Sequence, residues 1–496
     1  MQPRSHLRVP SAGFLALRQT PPSLRPLVRA YLLGYASSVA PRLLTLLLQA
    51  VTRARRRASS PAAASPKKEV DLLASLRHII LTGFEWQRFP TFCAVLVGGS
   101  TLLETPIRRL LERLTQGLGQ VSLTRLSRWL SAFVAAWLSL RLLQTKKSAA
   151  FTDKVPVKHE GTSPPGEAAT ETISYAGKTL DLTLFAVCRA VDVLVGELWA
   201  RRRARRKANQ EWTQLETLVT RSTDPWIFVS SVALIMWAWF YTPSRLPQGY
   251  RKWIASAANV DSRLIEALQE CRSGNIRYGT DTGYAPLLQD MCEEYSWPPA
   301  WGDPAKSVPF PCEMVHMGCG PSCEYHALSR LASSFRWSMA MYLPLNLAMQ
   351  LRKPPTTKGV TKAFLSAARS SAFLGTFITL FYYGVCLART RVGPHILGTH
   401  TAARQTIDSG LCVGCGCFLC GWSVLIETAS RRKDMALFVA PRALATLFPR
   451  RYAEDKQWRE TIAFAASTAV VFTCAQENKD RVRGVMGKIL GMVLQR

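Results

Sequence analysis

Long apolar stretches alternate with short polar and basic stretches along most of this chain, and the apolar stretches are of helical length. We expect them to form helices that cross or enter a membrane, although several span only about 14–17 residues where about 20 are usual. The pattern therefore predicts an all-α fold, a polytopic α-helical membrane protein. The apolar stretches lie at 89–111, 127–143, 226–241, 339–351, 364–387, 411–426 and 461–474.

Two amphipathic helices far apart in the sequence repeat one pattern, Asp-x-x-Leu-Phe-x-x-x-Arg-Ala-(Val/Leu)-x-x-Leu. The first copy runs from Asp181 to Leu194 and the second from Asp434 to Leu447. Each copy follows two apolar stretches and precedes a third, and this order predicts two similar four-helix units, as in duplicated transporters. Two unrelated amphipathic helices are the alternative. A competing match would pair the stretches differently, since 100–109 resembles 423–432.

The segments between the apolar stretches complete the predicted organisation. The loop at 145–177 has no periodicity and is rich in Lys, Ser, Thr, Pro and Gly, which is typical of disorder. The cysteine-rich segment is polar and contains Pro- and Gly-rich turns. The prediction is a basic N-terminal segment with an amphipathic helix (1–68), a first membrane unit (69–241) containing the disordered loop (145–177), a small cysteine-rich extramembrane insert (242–335), a second membrane unit (336–480) and a basic tail (481–496).

The formal net charge of +30 is typical of proteins that meet nucleic acid or an anionic membrane surface. Here the basic clusters adjoin apolar stretches: Arg53–Arg57 follows a Leu-rich helix, and Arg201–Lys207 follows the first repeat helix. This juxtamembrane arrangement favours anionic lipid headgroups as partners. No nucleic-acid-binding motif accompanies the charge, so we expect membrane lipids and no nucleic acid as partners.

The thirteen cysteines include a cluster of soft ligands in the polar insert. Cys and His at such short separations can close a tetrahedral zinc site, so zinc is the cofactor that the sequence suggests; free or redox-active thiols are the alternative. A second cysteine string, at 412–420, lies among glycines in an apolar stretch, and we interpret it as small packing residues. The candidate metal ligands are Cys312, His316, Cys319, Cys323 and His326.

Ionisable residues on the repeat helices are expected nearest the interior of the helical bundle. Because charge at membrane depth is costly, such residues usually face a cavity or a partner, and we consider them candidates to line a path for a substrate or headgroup. A helix at the interface, with its arginine in the phosphate layer, is the alternative. No nucleotide-binding or hydrolase motif occurs, so we do not expect an enzyme. The cavity-lining candidates are Arg189, Arg442, Asp181, Asp192 and Asp434.

The part of the chain from about 311 to 476 contains a set of short motifs: Cys312, His316, Pro321-Ser322-Cys323, Met341 to Leu345, Ser371 to Leu374, Ser423 to Glu427, Ser430 to Arg432 and the second repeat helix. In these motifs the chain resembles the transmembrane protein 135 family. The cysteine-rich segment comes first in animal members and separates the two units here, which suggests a fungal-type member. The resemblance implies a multi-pass protein of peroxisomal and mitochondrial membranes, linked to lipid metabolism and organelle dynamics. The four-element units are also faintly similar to the pore family of mitochondrial inner-membrane protein translocases.

Two functions fit these observations. In the first, this integral membrane protein of peroxisomes or mitochondria carries lipids or metabolites along a path near Arg189 and Arg442. In the second, it is a non-transporting scaffold or adaptor for organelle dynamics, whose basic loops and cysteine-rich insert bind partners of organelle division or transport. Oligomerisation is compatible with both.

Overall fold

The computed structural model describes residues 20–59, 72–115, 117, 119–156, 170–350 and 356–494. Within these ranges the chain is predominantly helical, and its β structure consists of three short strands. The predicted all-α fold class is therefore confirmed. Part of the predicted basic N-terminal segment, at 1–19 and 60–68, lies outside the described residues.

The described helices and strands follow one another along the chain in three groups. The first is α1 (Arg25–Ser59), α2 (Leu72–Thr82), α3 (Phe89–Leu102), α4 (Glu104–Leu114), α5 (Gln120–Gln144), β1 (Thr152–Pro156), β2 (Thr170–Ala176) and α6 (Leu180–Ala208). The second is α7 (Gln214–Tyr241), α8 (Gln248–Ala258), α9 (Ser262–Ser273), α10 (Ala285–Glu294), α11 (Cys312–His316), α12 (Cys323–Gln350), α13 (Thr357–Leu387), α14 (Gly393–Leu397), α15 (Thr401–Thr406), α16 (Cys412–Cys420) and α17 (Ala429–Ala445). The third is β3 (Tyr452–Ala453), α18 (Gln457–Glu477) and α19 (Gly484–Leu494).

Four helical stretches among the described residues are long and apolar enough to cross a membrane, which makes the chain an integral membrane protein. They are α5, α7, the stretch Thr357–Leu397 that begins with α13, and the stretch Thr401–Ile426 that contains α16. The predicted apolar stretch 89–111 is not one helix, because the chain breaks at Leu103 into α3 and the amphipathic α4. Pro106 lies in the first turn of α4, where proline favours the start of a new helix.

The described helices form two compact units. The terminal unit lies within Met1–Arg206 and Arg451–Arg496, and the central unit lies within Lys207–Arg450. The predicted membrane units at 69–241 and 336–480 divide the chain at other points. The last helix of the first predicted unit lies in the central unit, and the last helix of the second lies in the terminal unit. Helix α7 packs against α16 and α17 in the central unit, and α18 packs against α5 in the terminal unit.

In the terminal unit, α5 packs against α3 and α18 through a stripe of small side chains. A Cβ atom placed on Gly99 of α3 would lie only 2.9 Å from the Cβ of Ala135 on α5. Small residues let helix backbones approach closely, which is the usual packing mode of membrane helices. The buried small residues of α5 are Ser127, Ser131, Ala132, Ala135, Ala136 and Ser139.

In the central unit, α13 and α16 approach each other at two glycines. A Cβ atom on Gly384 would lie 2.9 Å from the Cα of Gly416, and one on Gly416 would lie 2.7 Å from the carbonyl oxygen of Phe381. Such distances leave no room for a side chain on this face. Cys412, Cys417 and Cys420 of α16 are buried, in agreement with the interpretation of this cysteine string as small packing residues.

The segment at 145–177, predicted to be a disordered loop, forms strands at both ends. β1 and β2 pair antiparallel, with Thr152 opposite Ser174, and β2 continues into a pair with β3. The reason is local: β2 reads Thr-Glu-Thr-Ile-Ser-Tyr-Ala, and its β-branched and aromatic residues favour a pleated strand. Residues 157–169 of the predicted loop lie outside the described residues.

The contact at Gly416 predicts a difference between two Gly→Ala substitutions on one helix. Gly416→Ala should destabilise the protein by about 1–3 kcal/mol, because the methyl group overpacks the interface with α13. Gly414→Ala should be neutral or slightly stabilising, since its methyl group would meet only the Trp237 ring, at 3.6 Å, while alanine favours a helix by about 0.5–1 kcal/mol. Thermal unfolding of the purified variants in detergent measures the difference, and equal stability of the two would contradict the packing described.

Candidate metal centre and repeat-helix cavities

Three cysteines and one histidine from three helices converge in the central unit. Cys312 and His316 stand at the two ends of α11, Cys323 begins α12, and Cys386 lies in the last turn of α13. Their ligand atoms, three thiol sulfurs and one ring nitrogen, all lie within 4.8 Å of one another. This donor set can bind a metal ion.

Four of the six distances within the group are nearly equal. The Sγ of Cys312 lies 3.7 Å from the Sγ of Cys323, 3.6 Å from the Sγ of Cys386 and 3.6 Å from Nε2 of His316. Nε2 of His316 lies 3.5 Å from the Sγ of Cys386. A disulfide needs about 2.05 Å between sulfurs, so these are separate thiols that surround a common point.

The ring of His316 is held in place by the loop that follows it. Its Nδ1 lies 2.7 Å from the carbonyl oxygen of Gly320, which leaves Nε2 to face the three thiols. Gly320 has a φ of 90°, a conformation that glycine adopts without strain. In metal-binding histidines, the N–H of the other ring nitrogen usually donates a hydrogen bond to a carbonyl or carboxylate in this way, which fixes the tautomer.

The protonation of the group favours a thiolate at its centre. The hydrogen bond from Cys386 lowers the pKa of Cys312 to about 4, assisted by His316 and opposed by burial. Burial, together with the neighbouring Cys312, raises the pKa of Cys323 to about 11. Thiolate is the form in which cysteine binds metals, so Cys312 is the first ligand of the group that would be ready to bind.

Three of these four residues belong to the set of metal ligands predicted from the sequence. The structure brings Cys312, His316 and Cys323 together and leaves Cys319 and His326 outside the group. The residue missing from the predicted set, Cys386, lies in an apolar stretch, and neither spacing nor composition connects it with the cysteine-rich segment.

His326 packs beside the group as a neutral aromatic ring. Its ring stacks on that of His316 with 4.6 Å between centroids, and neither of its nitrogens has a hydrogen-bond partner in the described part of the chain. Burial, with the nearby His316 and Arg330, lowers the pKa of His326 to about 3. The ring is therefore uncharged at neutral pH.

A buried ion pair adjoins the group and was not predicted. Arg389 donates two hydrogen bonds to Asp408, at 2.7 and 2.9 Å, and a third to the carbonyl oxygen of Phe310, at 2.8 Å. Tyr278 also donates to Asp408. Because Phe310 precedes Cys312 by two residues and Arg389 follows Cys386 by three, the guanidinium fixes the segment before α11 against the end of α13.

The predicted cavity-lining residues have different environments. In the terminal unit, Arg189 is buried and donates a hydrogen bond to the carbonyl oxygen of Arg483 at 3.3 Å. Asp192 forms an ion pair with the guanidinium of Arg483, and Asp181 is exposed. In the central unit, Arg442 and Asp434 are half-buried. Arg442 donates to the carbonyl oxygen of Phe438, one helical turn earlier, at 2.9 Å.

Each repeat helix lines an apolar cavity with the same positions of the repeat. In the terminal unit a cavity of about 420 Å³ is lined by Leu182, Phe185 and Ala186 of α6, among other apolar residues. In the central unit a cavity of about 290 Å³ is lined by Met435, Phe438 and Val439 of α17. These are the second, fifth and sixth residues of both copies, so the two helices present equivalent faces to their cavities.

The repeat arginine stacks on the repeat phenylalanine in both units. The guanidinium carbon of Arg189 lies 5.1 Å from the ring centroid of Phe185, and that of Arg442 lies 3.8 Å from the ring centroid of Phe438. Arg189 itself lines the terminal cavity. Arg442 also lies 5.8 Å from the ring of Tyr250, which lines the central cavity. The terminal cavity therefore has a cation in its wall, and the central cavity has one against two of its lining rings.

Comparison of the chain with models of protein families, with curated proteins and with solved structures finds no match.

The Arg389–Asp408 pair predicts a large loss of stability when one partner is removed. Asp408→Ala should lower the free energy of unfolding by about 3–5 kcal/mol, because it leaves a buried guanidinium without its counterion. Arg391→Gln is the matched control: it breaks an exposed ion pair with Glu324, and exposed pairs contribute about 0–1 kcal/mol. Unfolding of both variants in detergent tests this, and a loss of similar size in the two would be inconsistent with the assignment.

Proposed function

We propose that this chain is an integral membrane protein of peroxisomes or mitochondria that binds anionic, lipid-like molecules in its helical units and acts in their transport. The observation that carries the proposal is the repeated arrangement of the two cavities. In both units the same three repeat positions line an apolar space. The repeat arginine lines that space in the terminal unit, and in the central unit it lies against the rings of two lining residues, Tyr250 and Phe438. Two separate sites with one arrangement point to one ligand chemistry.

The chemistry of the cavities favours a molecule with one apolar chain and a negative headgroup. Apolar side chains line nearly all of both spaces, which suits an acyl chain better than a strongly hydrated metabolite. Their volumes, about 290 and 420 Å³, are at the small end of ligand pockets, and they favour a single chain. A guanidinium recognises carboxylate or phosphate through charge-assisted, bidentate hydrogen bonds.

The repeat also supports a duplicated architecture of two four-helix units. Besides the equivalent lining positions, the tenth residue of each copy has the same environment, since Ala190 and Ala443 are both buried. Under this proposal the fourth helix of each four-helix repeat packs in the other compact unit: α7 in the central unit and α18 in the terminal unit. The resemblance to the transmembrane protein 135 family supports the organelle and the connection with lipids.

A scaffold function is the second candidate, and one feature favours it. Helix α6 continues beyond its repeat into Arg201–Arg205, all of which are exposed. Such a basic helix end can attach a protein to anionic lipid at about 1 kcal/mol per residue near the surface. Under this alternative the basic run matters for organelle shape or division, and the cavities bind no ligand.

Binding of a fluorescent long-chain fatty acid, compared with the matching long-chain alcohol, tests the first function. Arg189→Gln and Arg442→Gln together should raise the Kd of the acid about tenfold or more, because a charge-assisted hydrogen bond contributes about 1.5–3 kcal/mol. Binding of the alcohol should not change. Flux of the acid out of reconstituted vesicles should fall in parallel.

Arg205→Gln on α6 and Lys433→Gln on α17 are matched controls, since each removes one positive charge from the same helix away from the cavity. Both should bind the acid as the unchanged protein does. Equal affinity of the unchanged protein for acid and alcohol would contradict the proposed ligand. If acid binds but no flux is detected, transport is contradicted while the ligand is retained; absence of acid binding would favour the scaffold function.

A further inference from the structure

We propose that Cys312, His316, Cys323 and Cys386 bind one structural zinc ion, which fastens the start of α12 to the end of α13. The site is independent of the lipid-binding proposal, because none of the four ligands lines either cavity. It differs from the set that the cysteine-rich segment alone suggests, since its fourth ligand comes from a helix in one of the candidate membrane stretches.

Four of the six distances within the group match the edges of a zinc tetrahedron. With zinc at about 2.3 Å from sulfur and about 2.0–2.1 Å from nitrogen, tetrahedral geometry requires about 3.8 Å between two sulfurs and about 3.6 Å between sulfur and nitrogen. From Cys312 the sulfur–sulfur distances are 3.7 Å to Cys323 and 3.6 Å to Cys386, and the sulfur–nitrogen distances to His316 are 3.6 Å from Cys312 and 3.5 Å from Cys386. The two remaining edges, which start at Cys323, are at most 4.8 Å. The side chains are therefore placed close to the geometry of a tetrahedral site.

The donor set selects zinc over harder cations and over larger clusters. Three thiolates with one imidazole are soft ligands, which disfavour magnesium and calcium. All four donors lie within 4.8 Å of one another, and they surround a single centre; a two-iron cluster would hold its two ligand pairs farther apart. Four protein ligands also leave no open position for substrate or water, which is typical of structural zinc rather than catalytic zinc.

The surroundings complete the site electrostatically. Zinc with three thiolates carries a net negative charge, and the buried guanidinium of Arg389 exerts a favourable field on Cys312. The carbonyl oxygen of Gly320 orients the His316 ring through its contact with Nδ1, as the partners of metal-binding histidines usually do. Arg389, through its hydrogen bond to the carbonyl oxygen of Phe310, also aligns the segment before Cys312 with the end of α13 that carries Cys386.

The role of the ion follows from where its ligands stand. α12 and α13 pack side by side, and Cys323, the first residue of α12, meets Cys386 in the last turn of α13. The metal therefore joins the end of this helix pair that lies opposite its connecting segment. Through Cys312 and His316 it also attaches α11, and with it the cysteine-rich segment, to the candidate membrane stretch.

Zinc content of the full chain, purified in detergent without chelator, tests the proposal. We expect about one equivalent of zinc per chain. Cys386→Ser should lose most of it, since removal of one of four ligands opens the site. Cys319→Ser is the matched control from the same cysteine-rich segment, outside the ligand group, and it should retain the metal.

Cobalt substitution keeps the test decisive if Cys386→Ser fails to fold. After zinc is removed and Co²⁺ is added, the unchanged protein should show thiolate-to-cobalt charge-transfer absorption and the intense visible bands of a tetrahedral site. Removal of zinc should also lower the unfolding temperature, because a ligand that binds only the folded state stabilises it. A full chain that retains no zinc and gives no tetrahedral cobalt spectrum would overturn the proposal, as would equal zinc loss in Cys319→Ser.

Discussion

A charged guanidinium buried among apolar helices needs a counterion and acceptors for its N–H groups. In the central unit, the partners that Arg389 finds also fix the positions of the chain segments around it. It pairs with Asp408 and donates to the carbonyl oxygen of Phe310. The first contact joins the end of one candidate membrane stretch to the start of the next. The second brings the chain just before Cys312 to the end of α13, where Cys386 lies. The candidate metal centre is thus assembled where the buried charge is neutralised.

The same requirement explains how the repeat helices can carry arginine beside an apolar cavity. Arg189 and Arg442 each lie over a phenylalanine from their own helix and donate to a backbone carbonyl oxygen. These contacts satisfy part of the guanidinium, and its planar fork is suited to an anionic headgroup. One helix face could then accommodate both the apolar chain of a ligand, in the cavity, and its anionic headgroup, at the arginine. Such a face occurs on α6 and again on α17.

Much of the helical architecture could be predicted, because apolar runs and helical periodicity are local properties of the sequence. The stretches at 127–143, 226–241, 364–387 and 411–426 all lie in helices able to span a membrane. Cys386 and the Arg389–Asp408 pair could not be found in this way, because they depend on contacts between helices distant in sequence. The grouping of α7 and α18 has the same cause, since local pattern does not say which helix a neighbour packs against. β2 was missed although its alternating β-branched residues were visible.

Photoaffinity labelling with a diazirine-bearing fatty acid tests the central claim, that equivalent repeat positions form two sites for one ligand chemistry. We expect adducts on α6 near Phe185 and on α17 near Phe438, both suppressed by excess unlabelled acid and neither by the alcohol. Adducts spread over membrane-facing surfaces without competition, or confined to one unit, would contradict it.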